Sequence, residues 1–347
     1  MDQQHAAHAE RFGLVMVDPE CFPIERHKHG KGFRICFSGG DPITDKRIRT
    51  RVKQLVLPPA WKDVKICVEE KGHIQAVGRD EKGRLQYRYH DDWVNVRNAV
   101  KTERLLRFGR ALPTLRRQID KDMRRRKADR RRTSAVATRL IDVAVMRPGH
   151  EKYAADGGRG VASLRKQNLR LIKKIAVLKF VGKSNKEHRI EIADRGLVSA
   201  LKAMRQGKGK RLFRFPGKVK KERELTANLL NDYLHEAAGA PVSAKDFRTF
   251  HGSAEALRFL VEEEPAVKAN TRPKRKRAVS KAMKSVSQLL RNTPTVARSS
   301  YVHPEIIEAY EEERLTPDLL KGRKRDGLTR VETGLMRFLE EVARQPS

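Results

Sequence analysis

The chain is poor in three things that would otherwise define it. It holds three cysteines in 347 residues, Cys21, Cys36 and Cys67, far apart and odd in number. No Cys-x-x-Cys spacing occurs, so neither a zinc site nor a disulfide framework is suggested. Buried, reduced thiols in a cytoplasmic protein are the expectation. Long apolar runs are missing: nothing approaches the roughly 18 residues that a membrane span requires. The N-terminal stretch MDQQHAAHAERFG has no apolar signal core, which argues against export. No lipidation motif is visible, so no membrane partner is expected. Acidic residues are scarce relative to basic ones: 43 Asp+Glu face 77 Lys+Arg, a formal charge of +34. Such self-repulsion is costly in a compact chain, and a polyanion partner offsets it. Because the basic residues run along the whole chain, nucleic acid fits better than a membrane surface.

What is present falls into two textures. Residues 12–93 read as mostly β, with alternating runs at 32–37 and 64–68. A hairpin is expected from 73–80 and 84–89 around Glu81-Lys82-Gly83, and a short helix from Asp45 to Leu55. From Trp93 on, long stretches without Gly or Pro read as helices near 95–110, 114–127, 133–146, 195–206, 224–237, 253–263 and 277–291. One β interruption, 175–181 and 187–192, surrounds Gly182-Lys183-Ser184-Asn185. A final helix carries Leu328, Val331, Leu335, Phe338 and Val342 on one face. The fold class is α+β: a small antiparallel β-rich N-terminal domain (1–92), a larger, mainly α-helical domain with a β-hairpin (93–315), and an extension with an amphipathic helix (316–347). The segment 271–277, TRPKRKR, reads as an exposed basic loop before a helix. The length allows two domains with real cores.

Tyr301, in LLRNTPTVARSSYVHPEII, is the residue that could carry chemistry. A phenol has a pKa near 10 and attacks a phosphodiester only with help. The transition state spreads negative charge over the non-bridging oxygens, which fixed cations stabilise, arginine best of all. The leaving 5′-oxygen needs a proton from a general acid. A protein that supplies these charges itself needs no metal. Suitable groups stand at element ends. Arg147 precedes Pro148, which pushes it out of helical geometry. Lys183 lies in the turn of the 175–192 hairpin. Arg248 stands between Phe247 and Phe250, and Asn292 stands before Thr293-Pro294. Each alone has an ordinary reading: a helix-ending Arg, a solvated turn Lys, a stacked structural Arg, a helix C-cap Asn, a packed Tyr. Tyr310 shares a helical face with Ile306 and Ile307 and reads as a packing residue.

The ordered set is more specific than its members. Arg147-Pro148-Gly149 with Tyr153, Phe180-Val181-Gly182-Lys183, Lys245-Asp246-Phe247-Arg248-Thr249, Asn292-Thr293-Pro294 and Tyr301-Val302-His303-Pro304 resemble motifs of the type IB DNA topoisomerases of bacteria and poxviruses. Upstream, LPPAW at 57–61, GHIQAVGRD at 72–80 and GRLQYRYH at 83–90 match as well, so the resemblance spans about 12–315. It implies a DNA-relaxing enzyme that needs no cofactor, neither ATP nor metal, and whose helical domain has the fold shared by tyrosine recombinases and type IB topoisomerases. Tyr301 would form a 3′-phosphotyrosyl link, Arg147 and Arg248 would hold the non-bridging oxygens, Lys183 would protonate the leaving oxygen, and Asn292 would donate a hydrogen bond. Gln86, Tyr87, Tyr89, Tyr153 and Lys245 would contact DNA. Tyr87 and Tyr89 alternate onto one face, in the core or on DNA, and the resemblance favours DNA. A monomer clamping double-stranded DNA is implied, in the cytoplasm and associated with the nucleoid. The chain departs from the pattern at Asn292, where viral members have His, and at Pro148 and His150 beside Arg147. Asn can donate but cannot titrate near neutral pH. The run 124–132, RRRKADRRR, suits phosphate-backbone contact. The competing readings are a tyrosine site-specific recombinase, which commonly shows His-x-x-Arg where this chain has Lys245-x-x-Arg248, and a non-catalytic basic nucleoid protein.

Overall fold

The computed structural model describes residues 3–149, 158–182, 186–206, 209–217 and 222–344. Lys183, Tyr153 and His150 lie outside them. The chain divides into two compact units, 1–101 and 102–345, and the division falls inside one helix.

The first unit is built on a five-stranded antiparallel sheet. Its strands are β1 (Ile24–His29), β2 (Gly32–Phe37), β3 (Lys62–Ile66), β4 (Ile74–Arg79) and β5 (Leu85–Tyr89), in the order β2-β1-β3-β4-β5. Helix α1 (Gln3–Arg11) precedes the sheet, and α2 (Lys46–Gln54) is inserted between β2 and β3. Ile24, Val64, Ile66 and Ala76 pack with Val52 and Leu55. Strand β1, Ile-Glu-Arg-His-Lys-His, escapes a sequence reading because only Ile24 on it is fully buried. Arg26 earns its place otherwise: its guanidinium donates to the carbonyls of Leu57, Pro58 and Trp61 and lies 4.2 Å from the Phe33 ring centre. Gly78 on β4 is required, since a Cβ there would lie 2.9 Å from the Trp61 ring.

Helix α3 (Trp93–Met123) is a single helix, not the two expected at 95–110 and 114–127. Pro113 sits inside it. Proline costs a helix interior about 3 kcal/mol. Leu105, Leu106, Phe108, Leu112, Leu115 and Ile119 all bury, at about 1.5–3 kcal/mol each. Burial outweighs the proline.

The second unit is mainly helical. Helix α4 (Arg130–Ala144) starts at the cap Asp129, whose side chain accepts from the Arg132 amide. Thus part of the basic run 124–132 forms the first turn of a helix. The expected hairpin is two strands of a three-stranded antiparallel sheet, β6 (Leu169–Ile172), β7 (Ile175–Val181) and β8 (Glu187–Ile192). Helix α5 (Arg195–Arg205), the short pair β9 (Arg214–Pro216) and β10 (Glu222–Glu224), and helices α6 (Ala227–Ala238), α7 (Ala244–Arg258), α8 (Arg272–Leu290), α9 (Pro294–Ser300), α10 (Pro304–Glu311) and α11 (Arg330–Arg344) follow.

Two boundaries correct the sequence reading. Helix α7 begins at Ala244, nine residues before the expected start, because Ser243 and Asp246 cap it reciprocally. Arg248 therefore lies on a helix. The supposed basic loop 271–277 is the first part of α8: Thr271 caps it and Pro273 occupies the first turn, where a missing amide costs nothing.

Helix α11 packs into the core of this unit through Leu335, Met336, Phe338 and Leu339. Beneath it, Arg116 donates to both oxygens of Glu332 at 2.8 Å and to Asp142 at 2.9 and 3.0 Å, and His251 Nε2 lies 3.0 Å from Asp142. One buried charged cluster thus ties α3, α4, α7 and α11 together. Among the described residues no helix is long and apolar enough to cross a membrane.

Candidate active site

Helix α7 places Arg248. Its side chain is 2% exposed and donates to the carbonyl of Leu290 at 2.8 Å and to that of Val145. Those carbonyls belong to the C-terminal ends of α8 and α4, so one guanidinium ties two helix ends to a third helix. The Arg248 Cζ lies 4.8 Å from the centre of the Tyr301 ring.

The spacing between Asn292 and Tyr301 has a structural cause. Thr293 caps α9, accepting from the Val296 amide at 3.3 Å, and Pro294 opens the helix. Tyr301 closes it: its amide donates to the Ala297 carbonyl at 3.0 Å. The interval is therefore one short, capped helix, and it delivers the phenol to Arg248. The Tyr301 backbone is held from α7 as well. Ser253 Oγ donates to the Tyr301 carbonyl at 3.2 Å and accepts from the His303 amide at 3.0 Å. His303 Nε2 lies 2.9 Å from Thr102 Oγ1.

Electrostatics follow from this packing. Burial pushes the Tyr301 phenol up, but the positive charges of Arg248, Arg147 and Lys245 outweigh it, and the net shift is below the ordinary phenol value. Arg248 itself is brought down to about 10, by burial first and the charge of Arg147 next, with Tyr301 acting in the opposite sense. Tyr310 makes the contrast. It is fully buried, donates to the Glu264 carbonyl at 2.6 Å, and is pushed up, chiefly by burial.

Arg147 lies in the loop after α4, which ends at Ala144; Val145 adopts the left-handed conformation at its C-cap. The Arg147 and Pro148 carbonyls accept from the amides of Val161 and Ala162 at 2.9 and 2.8 Å. Gly149 and Gly160 approach so closely that a Cβ on Gly160 would lie 2.4 Å from the Gly149 Cα. Pro148 is thus accommodated: the backbone from Arg147 to Gly149 is pinned.

Asn292 is not the helix cap. Arg291 caps α8, in the left-handed conformation. The Asn292 Nδ2 and Oδ1 are both buried and have no hydrogen-bond partner among the described residues. An amide in that condition costs about 1–3 kcal/mol unless something else meets it.

Sequence reasoning missed two groups. His188 and Arg291 line one cleft with Arg147, Arg248, Gly182 and Phe180. Strand register could have found His188: it faces Phe180 across the β7–β8 ladder, on the same side as Ile190 and Ile192. Burial, then the charges of Arg291, Arg147, Lys186 and Arg248, hold its imidazole below the usual range. Gly182, just before Lys183, must be glycine, because a Cβ would lie 2.4 Å from His188 Nε2.

The residues expected on DNA are distributed as follows. Lys245 is exposed on the first turn of α7. In the first unit, Tyr87 is 42% exposed and stacks on Tyr89 at 5.8 Å, and Tyr89 stacks on Trp93 at 5.9 Å. Tyr89 is the supporting ring and Tyr87 the accessible one. Gln86 donates to Asp80 at 2.9 Å. All three stand on β5, one of the two edge strands.

Residues 91–318 match the family described as eukaryotic DNA topoisomerase I, catalytic core, and residues 32–80 match the bacterial DNA topoisomerase IB N-terminal domain. The DNA topoisomerase 1B of Acanthamoeba polyphaga mimivirus is 29% identical over 294 residues, covering 83% of this chain and 87% of that protein. The DNA topoisomerase 1B of vaccinia virus (strain Copenhagen) is 23% identical over 276 residues, covering 77% of this chain and 84% of that protein. The DNA topoisomerase I of monkeypox virus is 22% identical with the same coverage. With two thirds of its length matching the catalytic core and a bacterial N-terminal domain ahead of it, the chain belongs to the type IB DNA topoisomerase family.

Proposed function

We propose that this protein relaxes supercoiled duplex DNA by transient cleavage of one strand. The Tyr301 oxygen attacks a phosphodiester, the bond from phosphorus to the 5′-oxygen breaks, and a 3′-phosphotyrosyl link forms. Lys183, with Arg147, gives the leaving oxygen its proton. The freed strand rotates about the intact one, and the 5′-hydroxyl then attacks the phosphotyrosine and restores the chain. Arg147 and Arg248 hold the non-bridging oxygens through the charged transition state, and Asn292 donates a hydrogen bond to one of them. Tyr87, Tyr89, Gln86, Tyr153 and Lys245 contact the duplex, which the protein engages as a monomer, through an N-terminal DNA-binding region (1–92) and a catalytic region (93–315). The nucleoid in the cytoplasm is its place of work.

One observation carries this reading: the Tyr301 phenol lies over a buried arginine, and that arginine is bonded to main-chain carbonyls. Its charge remains available to a phosphate. Because arginines supply the charge, relaxation of positive and negative supercoils is expected in EDTA without ATP. Tyr301→Phe should bind DNA and form no covalent adduct, whereas Tyr310→Phe should still form one. Wild-type protein that binds DNA but leaves supercoils intact at low salt would overturn the proposal.

A further inference from the structure

Position 291 is anomalous. The residue just after a helix commonly adopts the left-handed conformation, and glycine is favoured there because it has no Cβ. Here the residue is arginine, at φ 53° and ψ 55°. Its amide completes the end of α8 by donating to Gln288 and Ser287. That job needs no side chain.

The side chain goes elsewhere. Arg291 Nη1 donates to the Ala144 carbonyl, at the end of α4, at 2.8 Å and to the Leu289 carbonyl at 3.3 Å. This places its guanidinium in the cleft lined by Arg147, Arg248 and His188. It is half-buried, and among the described residues it makes no ion pair with a carboxylate and Nε and Nη2 make no hydrogen bond. The charge is felt by its neighbours. It opposes a proton on His188 more than any other charge does, and it depresses Arg248. A strained backbone, a costly burial and repulsion with Arg248 all weigh against an arginine at this position. A dianionic or monoanionic oxygen cluster in the cleft would reverse the sign of each electrostatic penalty.

We infer that Arg291 is a further phosphate-contacting cation of this site, which shares with Arg147 and Arg248 the negative charge on the non-bridging oxygens of the scissile phosphodiester. This rests on the strand-cleavage reading above. The bland alternative is that Arg291 only ties the Ala144 carbonyl to the end of α8.

The left-handed backbone gives a clean test, because Arg291→Gly removes the side chain and suits the conformation. Thermal melting should stay at or above the wild-type midpoint, so lost activity cannot be ascribed to unfolding. Single-turnover adduct formation on a nicked-product oligonucleotide duplex should slow by at least about tenfold, below the 10²–10³ typical for loss of a sole preorganised donor because two arginines remain. Arg291→Lys should recover most of the rate. The log–log slope of DNA binding against salt should fall in magnitude by about 0.9 for the glycine variant, the value for one lost phosphate contact. On a duplex whose scissile linkage is an uncharged methylphosphonate, the glycine deficit should shrink. Wild-type rate and salt slope in Arg291→Gly, or a deficit that persists undiminished on the methylphosphonate, would overturn the inference. Failure of the wild type to form any adduct would sink the strand-cleavage reading and with it a catalytic share for Arg291; phosphate contact is then judged on the salt slope alone.

Discussion

The pairing of Arg248 with Tyr301 makes a quantitative prediction about pH. Replacing Arg248 by Gln removes the charge and leaves an amide that can still donate to one of the Val145 and Leu290 carbonyls. The guanidinium carbon is 4.8 Å from the ring centre, and the side chain is 2% exposed. At an effective dielectric of about 20, unit charges about 5 Å apart attract by about 3 kcal/mol, which is about two powers of ten in rate. Adduct formation at neutral pH should therefore fall by about 100-fold from this effect alone, and further if Arg248 also grips the phosphate. The sign is fixed by the phenol. In the wild type, burial raises it, but Arg248, then Arg147 and Lys245, bring it below its ordinary value near 10. The rate should then rise with pH and level off below pH 10. Without Arg248, burial is opposed by the more weakly acting cations only, so the rise should move to higher pH and the deficit should narrow as pH increases. The assay is single-turnover adduct formation from pH 6 to 10, with both proteins saturated with DNA. A constant ratio across that range would refute the reasoning: Arg248 would then act on the phosphate and not on the nucleophile.

Other positions yield sharper separations of stability from catalysis. Asn292→Ala removes a buried, unmatched amide, so the melting temperature should hold or rise while adduct formation drops about tenfold or more; a melting loss of several degrees would show that the amide has a partner in the fold. Ser253→Ala loses two hydrogen bonds, a part-buried one to the Tyr301 carbonyl and a buried one from the His303 amide, and should cost about 1–3 kcal/mol in urea unfolding. Its cleavage defect should exceed its binding defect, since the backbone of the proposed nucleophile is what it holds. Glu332→Ala removes one of the two carboxylates that match the buried Arg116 and should cost about 3–5 kcal/mol. Burial raises Asp142 and Glu332, but Arg116 and His251 outweigh it and hold both below the usual carboxylate range. Their contribution is complete above the unfolded values near 4 and fades as pH falls through the folded ones. Urea titrations should thus show the wild type losing its advantage over Glu332→Ala in acid, and an advantage that grows in acid would refute the assignment.

Much of this was legible from residue patterns, for identifiable reasons. Alternation located β2, β3, β4, β5, β7 and β8, and helical spacing located the apolar face of α11. Motif order pointed to Arg147, Lys183, Arg248, Asn292 and Tyr301; Lys183 lies outside the described residues, and the structure brings Arg147, Arg248 and Tyr301 into electrostatic contact. Most of what was missed needed tertiary information. Strand β1 is held by guanidinium–carbonyl bonds from Arg26, which leave no alternation. The proline within α3 reads as a break until the burial on its core face is known. The start of α7 depended on a reciprocal cap between Ser243 and Asp246, easily overlooked beside the charged residues that follow. Arg291 looks like any helix-ending arginine, and only its left-handed backbone marks it as unusual. Asn292 had a helix cap as its ordinary reading, beside the hydrogen-bond donor that motif order implied. The cap lies one residue earlier, which frees the amide.

The scarcity of carboxylates noted at the outset acquires a local meaning in the way arginines are partnered. Arg116 is matched by two carboxylates, and Arg139 and Arg258 likewise pair with acids. These are structural arginines, and their charge is spent within the fold. Arg248 and Arg291 are instead bonded to main-chain carbonyls at the ends of α4 and α8. The C-terminal end of a helix carries unsatisfied carbonyls and a partial negative charge of about half an electron. That is enough to orient a guanidinium and meet some of its donors, but not to neutralise it. A carboxylate in the same place would fix the side chain equally well and cancel the charge a phosphate has to find. On the proposed reading, helix ends solve two problems together: they preorganise the cations before DNA arrives, and they leave the field strong enough to hold the Tyr301 phenol below its ordinary value despite burial. The same logic accounts for the strain at Arg291, since an arginine can reach the end of α4 from there only by accepting the backbone that the end of α8 imposes.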